Sequence, residues 1–243
     1  MNALEVRDVS FSYGARQVLH GLNFTCPKGR LTALLGPNAA GKSTLISLLT
    51  CLYPIQQGQI KVSGHDLNRA PRSALRELGV VFQQSTLDLD LTVEQNLRYH
   101  AALHGFSPSD AKGRVNDELA RQQLSDRRHD KVRLLNGGHR RRVEIARALL
   151  HNPRLLLLDE ASVGLDPASR QALQAHLRSL CAERDIAVLS TTHLLDEIAP
   201  EDHVLILNQG ALVANGSIEA IQAQYQQQSL ALIFQQLTKK EPK

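Results

Sequence analysis

Short apolar runs, broken by small or polar turns, set the frame of the chain. Leu31–Leu35, Gly79-Val80-Val81-Phe82, Leu155–Leu158 and Ile186–Ser190 are brief and nearly unbroken. Such runs, bounded by turn residues, read as strands buried on both faces. Leu4–Val9 alternates apolar and polar positions, and Val18–Cys26 looks like a second half-buried strand. Gln59–Ser63 reads as a further short strand. His203–Leu207 and Ala211–Ala214 read as a hairpin around Asn208-Gln209-Gly210. Between the strands lie helical stretches. Leu45–Leu52 is one, ended by Pro54. Pro71–Leu78 is another, with Pro in its favoured first turn. Thr92 with Gln95 three residues on is a capping-box start, and Ser107-Pro108 is a second start. Asp166 caps a long amphipathic helix with Pro167 at its first position, running to about Glu183. Strands alternating with helices predict an α/β fold with a parallel sheet. The helix-rich, charged region from about 86 to 150 looks like an inserted lobe. From Ser217 the chain is Gln-rich and helical, and it ends in a charged stretch, Lys239–Lys243.

Composition narrows the picture. The 243 residues fit one large domain with a substantial core. With 4% aromatic residues and no Trp, a base-stacking surface is not expected. A net charge of +4 suits phosphate ligands or an anionic membrane surface, without implying nucleic acid. Cys26, Cys51 and Cys181 are too scattered for a disulfide framework or a zinc pattern. MNALEVRD is not a signal peptide, and no apolar run approaches the ~18–20 residues that span a bilayer. The chain reads as cytosolic, so any membrane role needs a separate partner chain.

The chemistry concentrates at strand ends. After Leu35 comes Gly36-Pro37-Asn38-Ala39-Ala40-Gly41-Lys42-Ser43-Thr44, then a helix. This is the phosphate-binding loop G-x-x-x-x-G-K-[ST] in the strand–helix setting it requires. Its backbone N–H groups form an anion site at a helix N-terminus. Lys42 would reach the β- and γ-phosphates, and the Ser43 hydroxyl would ligate Mg²⁺. Asp159-Glu160 follow the Leu155–Leu158 strand at the usual ligand edge of an α/β sheet. One carboxylate could hold Mg²⁺ through water, and the other could take a proton from attacking water. Gln83 leaves another strand end, where a solvated loop residue is the ordinary reading. His193 closes Thr191-Thr192-His193, where a satisfied strand-end histidine is ordinary but a γ-phosphate contact becomes a candidate. Tyr13 could be a core aromatic or an adenine platform, and the segment alone favours the core. Gly137 and Gly138 sit at a helix start, facing N–H groups toward an anion. The run His139-Arg140-Arg141-Arg142 spreads around one helix, so an ion-paired or solvated face is favoured over a nucleic-acid patch. His100 and His104 share a helix face, but no third metal ligand accompanies them, so a solvated or partner-facing surface is expected.

At Asn136–Arg142 and Leu155–Pro167 the chain resembles the ATP-binding cassette (ABC) transporter ATPases. The resemblance covers nearly all of residues 3–215, with the motifs in the family's order. It implies a P-loop NTPase fold: a RecA-like core, an antiparallel β subdomain and an inserted α-helical subdomain. It implies an ABC domain over 1–215 and a helical tail over 216–243. Position by position, Tyr13 resembles the adenine-stacking residue and Gly36–Thr44 the triphosphate cradle. Gln83 resembles the glutamine that touches Mg²⁺ and senses the membrane subunit. Asp159 resembles the Mg²⁺-orienting aspartate, Glu160 the catalytic base and His193 the switch histidine. Leu135, Asn136, Gly137 and Gly138 resemble the signature that closes over the nucleotide of a second cassette, across an interface that Asp166 also crosses. The resemblance therefore implies ATP and Mg²⁺, a cassette dimer (a homodimer by preference), a separate transmembrane permease and a place on the inner face of the cell membrane. The stretch FQQSTLDLDLTVEQNLRYHAALHG and the run Leu135–Arg170 look most like exporter ATPases, within them the branch associated with pyrroloquinoline-quinone-dependent alcohol oxidation systems.

Four departures from the family pattern stand out, the last spanning two residues. Ala39 replaces a usual glycine, Asn136 the signature serine, His139 the glutamine ending the signature, and Ala161-Ser162 the usual Pro-Thr. Because Lys42, Asp159, Glu160 and His193 are all present, a competent ATPase is expected. Two other classes compete. A nucleic-acid or ribosome-acting ABC ATPase usually carries two cassettes or a coiled-coil insertion, and this chain has neither. A module that closes on ATP without turnover is the alternative that Asn136 raises.

Overall fold

The computed structural model describes residues 2–239, so Lys240–Lys243 of the charged stretch lie outside the described residues. In chain order the elements begin with β1 (Asn2–Tyr13), β2 (Arg16–Pro27), β3 (Leu31–Leu35), α1 (Lys42–Leu49), β4 (Gln57–Val62) and β5 (His65–Asp66). Next come α2 (Pro71–Arg76), β6 (Leu78–Val81), α3 (Val93–Leu103), α4 (Pro108–Arg121), α5 (Gly137–Leu149) and β7 (Leu155–Asp159). The chain closes with α6 (Pro167–Arg184), β8 (Ala187–Thr192), β9 (His203–Asn208), β10 (Ala211–Ser217), α7 (Ile218–Gln224) and α8 (Leu230–Thr238). The predicted ends of two helices move inward. α1 stops at Leu49, before Pro54, and α2 stops at Arg76 because Leu78 already belongs to β6.

Two sheets share the molecule. The order β2-β1-β4-β5 is antiparallel, and the order β10-β9-β3-β8-β7-β6 is parallel except at its β10 edge. β3, β7 and β8 are buried at every residue, as unbroken apolar runs require when both faces are covered. One face packs with α1 and the antiparallel sheet, through Leu34, Leu45, Leu157 and Leu189. The other packs with α6, through Ala33, Leu158, Leu173, Leu177 and Val188. Helices α3, α4 and α5 gather around their own apolar cluster, including Val93, Leu97, Val115, Leu119 and Val143.

The caps set the helix starts. Thr92 and Gln95 bond reciprocally, with Gln95 N donating to Thr92 Oγ1 at 3.2 Å and Thr92 N donating to Gln95 Oε1 at 2.8 Å. The tail is packed. Ile221 and Ile233 are buried against β9 and β10, and Asn208 Nδ2 donates to the Leu237 carbonyl at 2.8 Å. The sheet order matters most for function. β8 lies between β3 and β7, so the C-terminal ends of β3, β8, β7 and β6 form one continuous edge.

Candidate functional site

The phosphate-binding loop follows β3 and leads straight into α1. Gly41 caps α1 at φ +109, a conformation open to glycine, and offers no side-chain cap. The first N–H groups of α1 are therefore free to meet an anion. Ala39 also sits in the left-handed region, at φ +64. The loop is anchored from outside, because Gly210 N donates to the Ala40 carbonyl at 2.9 Å and Gly36 N to the Thr192 carbonyl at 3.2 Å. Lys42 is buried, and its Nζ donates to the carbonyls of Gly36 at 2.7 Å and Pro37 at 3.2 Å. It also lies 3.4 Å from Glu160 Oε1. The loop thus holds its own lysine over the anion cradle.

The acidic pair is set by β7 and β8. Thr191 Oγ1 donates to Asp159 Oδ1 at 2.8 Å and accepts from Glu160 N at 2.9 Å. Burial raises the Asp159 carboxyl above its ordinary range; the Thr191 bond opposes this, Glu160 adds to it and Lys42 opposes it. Glu160 adopts φ +45, an uncommon backbone for a side-chain-bearing residue. Its carboxylate lies 3.7 Å from His193 Nδ1, and Gln83 Nε2 donates to it at 3.5 Å. Thr191 was named in the sequence only as part of a strand end, yet its hydroxyl fixes both acids.

Lys42 and Glu160 line one cavity of about 730 Å³, with Tyr13, Arg16, Val18, Asn38–Thr44, Gln83, Val163 and His193 on its wall, whereas Asp159 and Thr191 are buried and do not line it. Tyr13 is a correction to the core placement that its segment favoured. It is 45% exposed, stands edge-on to Phe11 and Tyr53, and faces the cavity. Beyond the motifs, Arg16, Val18 and Val163 complete the wall, and no pattern in their segments marked them.

The glycine signature lies elsewhere. Leu135 is buried in the helical cluster, and Asn136 caps α5, its Oδ1 accepting from His139 N at 2.8 Å. Asn136 and Gly138 line a second cavity of about 270 Å³ with His139, Arg142, Ser169 and His176. Asp166 caps α6 beside it, accepting from Ser169 N at 2.9 Å. The sequence-marked residues therefore form two groups on one chain, not one ring around a single ligand.

The ABC transporter family model matches residues 19–163, from β2 through the acidic pair. The chain belongs to the ABC transporter family. It is 34% identical over 215 residues to the Linearmycin resistance ATP-binding protein LnrL of Bacillus subtilis (strain 168), covering 88% of this chain and 69% of that protein. It is 36% identical over 220 residues to the Nod factor export ATP-binding protein I of Paraburkholderia xenovorans (strain LB400), covering 90% and 72%. A solved ATP-binding subunit of an ABC transporter superposes with a TM-score of 0.86 at 31% identity, covering 98% of this chain and all of that one. The chain is thus an ATP-binding cassette, an ATPase that works with transmembrane permease components.

The helical part of the cassette holds further contacts. Arg141, in the arginine run, is buried and pairs with Glu144 at 2.6 Å, while its other N–H groups donate to the carbonyls of Phe82 at 2.9 Å and Gln83 at 3.3 Å. The ion-paired reading of that run holds for Arg141, which ties α5 to the segment carrying Gln83. The histidine pair keeps the expected solvated face in part, with His104 exposed and His100 half-buried, and a third ring joins it. His100 and His104 lie within 3.2 Å at Nε2, and the His151 ring stacks on His104 at 4.1 Å. No set of three His, Cys, Asp or Glu converges on a metal point among the described residues. Among the described residues no helix is long and apolar enough to cross a membrane.

Proposed function

We propose that this cassette binds and hydrolyses MgATP between two copies of itself and drives export through a separate transmembrane permease. The carrying observation is the division of the motif residues between two cavities of one chain. Lys42, Glu160, His193 and Gln83 surround the first, and Asn136, Gly138 and Ser169 belong to the second. A complete site therefore takes the first cavity from one copy and the second from another. Export is supported by relatives named for linearmycin resistance and Nod factor export. The narrower branch, associated with quinone-dependent alcohol oxidation, rests on the sequence stretches alone. We take residues 1–215 as the ATP-binding domain, with a helical lobe at about 86–150, and 216–243 as its tail, at the inner face of the cell membrane.

Each side chain has a defined part in this reading. Tyr13 offers its face to adenine at the cavity mouth. The N–H groups of Gly36–Thr44 cradle the phosphates, and Lys42 exchanges the loop carbonyls for phosphate oxygens. Glu160 accepts the proton of the attacking water, and His193 contacts the γ-phosphate. Leu135–Gly138 and Asp166 close over the other copy's nucleotide. Ser43, Gln83 and Asp159 supply hard oxygens around a carboxyl whose burial disfavours its charged form, a donor set that fits Mg²⁺. Bound there, the ion would neutralise charge on the β- and γ-phosphates.

The test is ATP turnover by the purified chain, alone and with its permease. Wild-type turnover should rise with the permease, and Glu160→Gln should lower it by at least about a hundredfold. Asn136→Ser should raise it by letting α5 approach the facing nucleotide more closely. A wild type without turnover, matched by Glu160→Gln, would instead support an ATP-gated module that closes without hydrolysis.

A further inference from the structure

Asp166 opens α6, and His193 opens the segment Leu194–Asp202 between β8 and β9. Two arginines of α6 reach across to that segment. Arg178 is fully engaged. It donates to the Asp202 carboxylate from Nη2 at 2.7 Å and Nε at 3.1 Å, and to the Glu197 carbonyl at 2.8 Å. Asp202 is buried, so this two-point pair makes a fixed hinge between helix and segment.

Arg170, one turn into α6, is only half engaged. Its Nη1 donates to the exposed Asp196 at 3.0 Å. Its Nε faces Glu197 Oε1 at 3.9 Å, beyond hydrogen-bonding distance. Both of those atoms are buried, and neither has a hydrogen-bond partner. An ionic pair held apart in this way is costly, because each group has given up water for a bond not yet made. A closure of about 1 Å would complete it. Room for that closure exists in a cavity of about 220 Å³, lined by Pro167, Arg170, Gln174, Asp196 and Glu197.

We propose that Arg170 is a positioning residue for ATP hydrolysis. When the Asp166 turn seats against a second cassette, Arg170 engages Glu197 as well as Asp196 and draws the His193 segment onto α6. Contact at the second cavity thereby sets the switch histidine of the first. This inference rests on the proposed roles of Asp166 and His193.

The experiment measures steady-state ATPase of the cassette–permease complex for Arg170→Gln, Glu197→Gln and the double variant. Each single variant should lower kcat about tenfold with KM for ATP within about twofold, the pattern of an interaction made only on the way to the transition state. The double variant should be no slower than either single one, as two partners of one contact require. Thermal midpoint and fluorescent-nucleotide binding by the isolated chain should stay at wild-type values. Unchanged kcat, multiplicative losses in the double variant, or a fall of kcat together with the thermal midpoint would each overturn the proposal. Should either buried substitution prevent folding, Asp196→Asn on the exposed partner gives the same readout, with a smaller kcat loss expected and an unchanged kcat overturning the proposal. Glu160→Gln is the control. If that variant turns over normally, the assignment of the base fails, whatever Arg170 does.

Discussion

Ala39 carries a cost that its neighbours explain. At φ +64 its Cβ crowds the backbone, at about 1–2 kcal/mol for a residue that is not glycine. Two residues on, Gly41 takes φ +109, and a Cβ there would lie 2.8 Å from Leu19 Cδ2. Replacing Ala39 by glycine removes the strain but loosens the unfolded chain, which returns about 0.4–1 kcal/mol. The net expectation for Ala39→Gly is a gain of about 0.5–1 kcal/mol in unfolding free energy, read from urea denaturation. A loss of stability would show that the loop conformation does not strain Ala39. The sequence marked this position as a departure, but the sign of φ there is a property of the folded loop. Asn136 is similar. Its identity was legible, whereas the side-chain oxygen that caps α5, leaving the amide N–H₂ to face outward, became visible only once His139 N was placed beside it.

At the scale of elements, α3 and the end of α5 meet through three imidazoles. Burial pushes the His100 ring down to about 4, with Arg147, His104 and His151 adding to the effect. Burial likewise pushes His151 down to about 4, and His104 and Arg114 add to this while the bond to the Leu78 carbonyl opposes it. The neighbouring groups acting on both rings are arginines and imidazoles, which disfavour the charged form, while the Leu78 carbonyl favours it at His151. A folded-state pKa below the unfolded value of about 6.5 favours folding above that pH and loses the contribution as pH falls toward about 4. The urea midpoint should therefore drop between pH 7 and 5, above the range where carboxylates dominate. His151→Gln should flatten that drop, and an unchanged slope would remove the cluster from the account. Element types were legible because caps and apolar runs are local: Thr92, Ser107 and Asp166 start helices in the structure as in the sequence. The histidine cluster was not, because His151 reaches His104 only through the packing of α5 beside α3. Tyr13 failed for a related reason. The segment alone favoured the core, but Tyr13 is the last residue of β1, and its ring lines the cavity.

At the scale of the molecule, the cassette carries one anion cradle beside an acidic pair and, apart from it, one glycine-led helix start with no acids in its cavity wall. If the helix start served its own nucleotide, the chain would have to fold these two regions onto each other. The sheet that carries one and the helical cluster that carries the other are instead each packed internally. A second copy meets the requirement without any rearrangement inside either cluster, and it makes ATP the link between copies. The Glu160→Gln chain should be monomeric without nucleotide and dimeric with MgATP, measured by light scattering. Adding Asn136→Ala or Asp166→Ala should abolish that dimer while leaving fluorescent-nucleotide binding to the monomer intact. Removal of either cap costs only about 1 kcal/mol, so the chain should stay folded. Lys42→Ala should do the reverse and lose nucleotide binding and dimer together. These two patterns separate the arrangements: if Asn136→Ala weakened binding by the monomer, the signature would belong to its own nucleotide, and the two cavities would be halves of one site.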